Sequence, residues 1–318
     1  MISFSHNGFS NEKLWELANS ASIKVRNLNE FVAEVYDYGR IIREYGYYPQ
    51  SLPIYICHCH GPGGTFEELS YWNMYNKDCL FLAQRKREIP YYLKAGFPRC
   101  QVMLNPFVFY RKSRNIQQTR DARGTLAFAA HNTRGIHDLS DISQYIDALK
   151  SLPEKYQPIS VCVFWWDILN NKHKIYMESG LPVFTAGNGL SGCFVDNFYE
   201  IIRHFKYTTA NLVGSYTYYS VEIGIPFFVY GPEADYFNVD EPGIKAGKIR
   251  CTDTNEYRKI YNMFLEMVDE VSADQKKIVE RNMGVYDGAT RLQMAKILYW
   301  ELFRHYFAGI KSLFRRKL

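Results

Sequence analysis

Residues 207–230 read YTTANLVGSYTYYSVEIGIPFFVY, and the fold turns on how this stretch is parsed. It predicts a short strand ending near Asn211, a turn through Gly214-Ser215, and a helix carrying Glu222. Gly224-Ile225-Pro226 stops that helix, and the apolar run 227–230 follows as a buried strand. Such a unit sets a helix N-terminus at the carboxyl edge of a sheet, where free N–H groups and the helix dipole attract phosphate. Ser215 and Thr217 add hydroxyl donors at that point, and Glu222 lies about two helical turns beyond Ser215. On spacing alone the same unit suits any α/β protein.

Alternation of this kind extends through the chain. Residues 11–45 read as helical, 54–57 as a strand, 65–75 as a helix, 79–83 as a strand and 86–94 as a helix, with an apolar stretch at 102–104. The segment 110–124, YRKSRNIQQTRDARG, carries five Arg or Lys and few apolar residues, and reads as a linker. Beyond it, strands at 126–130, 161–165 and 183–186 alternate with helices at 141–149, 170–179 and 193–205. Two closing helices are expected at 265–284 and 290–307. The order predicts an α/β protein of two doubly wound, Rossmann-like domains facing a cleft, 1–115 and 116–318.

At 318 residues, 47% hydrophobic and 22% charged, the chain has the composition of a soluble globular protein. A net charge of +5 is too small for a nucleic-acid-binding profile. No apolar run reaches transmembrane length, and the first residues lack a signal-peptide layout. Seven scattered cysteines suit free thiols in a reducing compartment, so a cytoplasmic location is expected. The 26 Tyr and 21 Phe suit a cleft for sugars or bases, but equally the codon bias of an A/T-rich genome. The tail 303–318, FRHYFAGIKSLFRRKL, interleaves aromatic and basic residues, as a helix lying on the inner face of an anionic membrane would; a packed final helix with a frayed basic end reads the same.

Ligands of doubly wound sheets bind beyond the carboxyl ends of the strands. In the second half those ends carry His131-Asn132-Thr133-Arg134, Trp166-Asp167, Gly187-Asn188 and the stretch from Asn211 through Thr217. Histidine and arginine there suit a phosphate-bearing ligand. Residues 187–192, GNGLSG, match G-x-G-x-x-G but lie on the third strand of their half and lack the ribose-binding acid expected downstream. They read as a flexible, backbone-donating turn near a ligand. In Cys57-His58-Cys59-His60 the Cys and His side chains alternate across a strand, and no CxxC pair supplies further ligands, so no metal site is expected. His60, before Gly61-Pro62-Gly63-Gly64, is the candidate base of the first half, with Glu67 and Glu68 behind it.

The sequences HGPGG, AAHNTRG, VCVFWWD, PVFTAGN and above all TTANLVGSYTYYSVEIGIPFFVYG resemble those of GT-B-fold glycosyltransferases, in particular bacterial enzymes of lipopolysaccharide, capsule or O-antigen assembly. The resemblance implies that the second half binds a nucleotide sugar and the first half a glycan or lipid-linked glycan acceptor, with no cofactor and no metal. It places the donor phosphates at Ser215, Tyr216 and Thr217, with Gly187, Asn188, Asn211 and Gly214 around them and Glu222 near the ribose. His131 and Arg134 would neutralise the leaving phosphate, and His60 would deprotonate the acceptor hydroxyl in an inverting reaction. The usual retaining-enzyme Glu is missing from 216–220. A nucleotide-sugar 2-epimerase on the same fold and a non-catalytic glycan-binding assembly partner are the alternatives.

Overall fold

A computed structural model describes residues 2–59, 61, 73–241, 246–250 and 255–315. His60, Glu67, Glu68 and most of the expected helix 65–75 lie outside them. Helices α1 (Asn11–Asn19), α2 (Leu28–Glu34) and α3 (Tyr38–Tyr45) lead into β1 (Ile56–His58). Next come β2 (Leu80–Ala83), α4 (Ile89–Lys94), β3 (Cys100–Val102) and α5 (Pro106–Ser113). Strands β1, β2 and β3 form a parallel sheet in that order. Alternation along β2 divides its neighbours: Leu80 and Leu82 join the main core, while Phe81 and Ala83 face a smaller cluster with Cys57, Tyr92 and Phe97.

The second series is β4 (Thr125–Phe128), β5 (Ile136–Asp138), α6 (Ile142–Lys150), β6 (Ile159–Cys162), α7 (Trp165–Leu169) and α8 (His173–Glu178). It continues through β7 (Val183–Phe184), α9 (Phe194–Ile202), β8 (Tyr207–Ala210), α10 (Ser215–Ile223) and β9 (Phe227–Val229). A parallel sheet runs β7-β6-β4-β8-β9, so winding reverses between β4 and β8. The opening stretch folds as its residues predict, with Gly224 at φ 97° ending α10. After it come β10 (Tyr236–Asn238), β11 (Gly247–Ile249), α11 (Asn255–Asn262), α12 (Ala273–Asn282) and α13 (Arg291–Arg315). Strands β11, β10 and β5 make a small antiparallel sheet that the sequence reading did not anticipate. Three-residue strands are too short to show a period.

Several boundaries move for local reasons. The expected helix 11–45 is three helices: residues 20–27 separate α1 from α2, and Tyr36 and Asp37 take left-handed φ of 57° and 63° before α3. The linker 110–124 begins inside α5, where Tyr110 is buried. Strand 161–165 ends early, and Trp165 opens α7. The helix expected at 265–284 starts only at Ala273, where Ser272 accepts from the Gln275 amide at 3.1 Å and Gln275 Oε1 accepts from the Ser272 amide at 3.1 Å.

Contacts cross between the two sheets at both chain ends. Phe9 N donates to Val183 O at 2.9 Å beside β7, and the Phe4 ring stacks on His204 with centroids 4.0 Å apart. Conversely, Asn105 N donates to Met283 O at 2.9 Å, Ala289 N to Val102 O at 2.8 Å, and Arg99 pairs with Glu301 at 2.8 Å beside β3.

Candidate functional site

A cavity of about 320 Å³ lies where the winding of the five-stranded sheet reverses, at the carboxyl ends of β4 and β8. Its floor belongs to the strand ends: Phe128 at the end of β4 with Ala129 and His131 beyond it, Phe164 and Trp165 after β6, and Thr185 through Gly187 after β7. Gly214, Ser215 and Tyr216 at the start of α10 form one wall. Tyr36 and Phe107 come from the first half of the chain.

His131 is held by the turn behind it. The buried Asp167 carboxylate accepts from the Asn132 backbone N at 3.2 Å and also from the Asn132 side chain. Asn132 Oδ1 accepts from Asp138 N at 2.8 Å, and Lys172 sits 3.6 Å from Asp138 and 4.0 Å from Asp167. The His131 ring lies 4.6 Å from that of Phe164. Burial lowers its pKa to about 4, opposed by Asp138 and reinforced by Lys172. The imidazole is therefore neutral at physiological pH. Neutrality also links it to stability: the unfolded ring binds a proton near 6.5 and the folded ring near 4. Its stabilising contribution is present above pH 6.5 and is lost as pH falls toward 4. In melting curves across that window, the wild-type chain should lose more stability than His131→Gln. Parallel curves for the two proteins would remove the buried neutral histidine from the account.

Helix α10 begins at a glycine, so no side chain caps it. Gly214 N donates to Thr217 Oγ1 at 3.2 Å, and Thr217 N donates to Gly214 O at 3.0 Å. Tyr216 stacks flat on Phe128, with centroids 4.5 Å apart and planes 4° from parallel. The first sheet reaches this helix too. A Cβ on Gly61, just past β1, would stand 2.9 Å from Ser215 Oγ. A buried polar chain runs from Cys59 O to Gln84 Nε2 at 2.9 Å, from Gln84 Oε1 to Asn105 Nδ2 at 3.0 Å, and from Asn105 to Tyr38 at 3.2 Å. It ends at the Tyr219 hydroxyl, 3.3 Å from that of Tyr38 and on the cavity wall.

Of the residues singled out in the sequence, His131, Gly187, Gly214, Ser215 and Tyr216 meet at the cavity. Thr217 is fully buried beneath the helix start, and Asn211 is buried behind the lining. Glu222 does not line the cavity and is held by Arg111 of α5 through contacts of 2.6 and 2.7 Å. Arg134 is exposed, its guanidinium 5.7 Å over the Trp166 ring. Nor is the glycine-rich turn open. Asn188 N donates to Leu17 O at 3.0 Å, Asn188 Nδ2 to Ala18 O at 3.0 Å, and Tyr36 N to Gly189 O at 2.7 Å. A Cβ on Gly189 would come within 2.9 Å of Tyr36. These glycines permit close packing of the N-terminal segment.

The sequence reading missed the aromatic wall: Tyr36, Phe107, Phe128, Phe194, Phe198 and Tyr219. Phe128 ends β4 and Phe164 comes two residues after β6, so strand position carried that signal; Tyr36 did not, because only its left-handed backbone aims it at the site. At β1 the alternation holds, with Cys57 in the smaller cluster and His58 stacked on Tyr38 at 4.5 Å. Among the described residues, no group of three or more His, Cys, Asp or Glu side chains is placed to hold a metal ion. No family model, no curated protein and no solved structure matches this chain.

Proposed function

We propose that the chain is a glycosyltransferase of GT-B type, two doubly wound halves facing a cleft, that moves a sugar from a nucleotide donor to a glycan or lipid-linked glycan acceptor at the cytoplasmic face of a membrane. The observation that carries the reading is the aromatic cavity at the reversal point of the five-stranded sheet, with an uncapped helix N-terminus on one side and His131 on the other. Aromatic faces suit a base or a sugar ring, and the amides of α10 suit the diphosphate. As the bond from the anomeric carbon to the phosphate oxygen breaks, negative charge grows on the diphosphate. Helix N–H groups and a His131 proton stabilise it there. An approaching phosphate also raises the His131 pKa, so the neutral ring gains a proton when the donor binds. The acceptor would enter from the side of Gly61, where the candidate base His60 precedes it in the chain.

The test is nucleotide release from UDP-, GDP-, CMP- and dTDP-sugars, with and without glycan acceptors. One donor class should turn over, and His131→Ala should slow it about 100-fold. No release from any donor contradicts the reading. A second reading, a glycan-binding partner without turnover, is favoured by one feature: no Asp, Glu, Lys or Arg lines the cavity among the described residues. Binding of a nucleotide sugar without release would select it.

A further inference from the structure

Helix α13 has two unlike faces. Met294, Leu298 and Glu301 are buried, Glu301 against Arg99, and His305 stacks on Tyr55 at 3.9 Å. The opposite face exposes Leu292, Tyr299, Trp300, Phe303, Tyr306 and Phe307, from 45% to 72%. These positions recur at helical spacing and fall within one stripe about 120° wide. Trp300 and Phe303 stack at 5.9 Å, and Phe303 and Phe307 meet tilted at 4.1 Å, making one continuous aromatic surface. A stripe of this extent on a soluble chain marks a contact surface.

Charge identifies the partner. Glu301 is the only acid between 291 and 318, and it is turned inward. Lys296 is exposed on the aromatic side, and the sequence ends with Lys311, Arg315, Arg316 and Lys317. Pairing this stripe with a second copy would set basic ends against exposed faces that hold no acid. An anionic lipid surface meets both features, since aromatic rings settle at the headgroup level and basic groups face the lipid charge. Among the described residues, no helix is long and apolar enough to cross a membrane.

We infer that the exposed face of α13 docks the protein on an anionic bilayer, lying in the interface. The inference does not depend on the donor reading, because its readout is partition and not turnover. The test is flotation of the full chain with vesicles of phosphatidylcholine alone and of phosphatidylcholine mixed with phosphatidylglycerol. The wild-type chain should float with the anionic vesicles and be released by salt. Trp300→Ser combined with Phe303→Ser should lower partition by about tenfold or more, as two buried aromatic groups are lost. Lys311→Glu with Arg315→Glu should lower it about fivefold per basic group removed. Both variants change solvent-facing or tail positions, and unchanged melting curves would confirm their folding. Failure to float, equal binding to neutral vesicles, or undiminished binding of the aromatic variant would overturn the inference. So would a wild-type dimer that the aromatic variant dissolves without any effect on flotation.

Discussion

Glu222→Ala is expected to destabilise the protein by about 3–5 kcal/mol, because it leaves the Arg111 guanidinium in a largely buried site without its counter-ion. The pair is bidentate, at 2.6 and 2.7 Å, with the Glu222 side chain 3% exposed and that of Arg111 16%. It joins α5 to α10, so its loss acts where the first half of the chain meets the helix that borders the cavity. Against a typical total of about 5–15 kcal/mol, this is a large fraction. Glu222→Gln keeps the shape and one acceptor and should lose less. The check is chemical denaturation of both variants beside nucleotide affinity measured on the folded fraction. The account expects a stability loss with unchanged affinity. A drop in affinity with stability intact would instead put Glu222 at the ribose, as the resemblance to GT-B glycosyltransferases implies.

Ser215→Asp should change stability and binding in opposite directions. A carboxylate in the first turn of α10 complements the helix dipole and should stabilise the fold by about 0.3–1 kcal/mol. The same charge occupies the position proposed for the donor diphosphate. Like charges about 4 Å apart in a partly buried site repel by up to about 4 kcal/mol, so affinity for a nucleoside diphosphate should fall about 100-fold or more. Ser215→Asn supplies a neutral side chain of similar size and should bind nearly as the wild type does. If the aspartate variant binds as tightly as the asparagine one, the phosphates do not lie at this helix.

Much of the fold was legible because strong local signals agreed with one another. In 207–230 the apolar runs, the glycine after the helix and the proline beyond it all point to one strand–helix–strand unit, and that unit forms. Where signals were short or depended on distant partners, reading failed. Strands β5, β10 and β11 each hold three residues, and β5 joins them only through a pairing with β10 about 100 positions away in the chain. The left-handed turn at Tyr36 and Asp37 exists because both residues meet the far half: Tyr36 N donates to Gly189 O at 2.7 Å, and Asp37 Oδ2 accepts from Val195 N at 2.9 Å. No local rule favours that conformation for a tyrosine.

The site was legible in part for the same reason. His131, Gly214 and Ser215 follow strands at the carboxyl edge of the sheet, and chain position alone locates them. Thr217 shares a helix with Ser215 but falls on its far face, whereas Glu222 falls on the same face two turns further along; no motif states that Arg111 of α5 meets it there. The glycines of 187–192 read in sequence as a turn near a ligand; Gly187 does line the cavity, while Gly189 leaves room for Tyr36 and Gly187 for the backbone of Leu17. Aromatic residues are the opposite case: their abundance suits a cleft and a codon bias equally, and only the fold shows nine of them, among the described residues, lining the cavity.

The most direct test of the central claim is calorimetric titration of the purified chain with UDP, GDP, CMP, CDP, dTDP and NAD, repeated in two buffers of different ionisation enthalpy near pH 6.5. The account predicts that one nucleoside phosphate class binds, takes up protons as His131 becomes charged, and loses affinity in Ser215→Asp. Binding of NAD alone, or tight nucleotide binding indifferent to both Ser215 and His131, would contradict it.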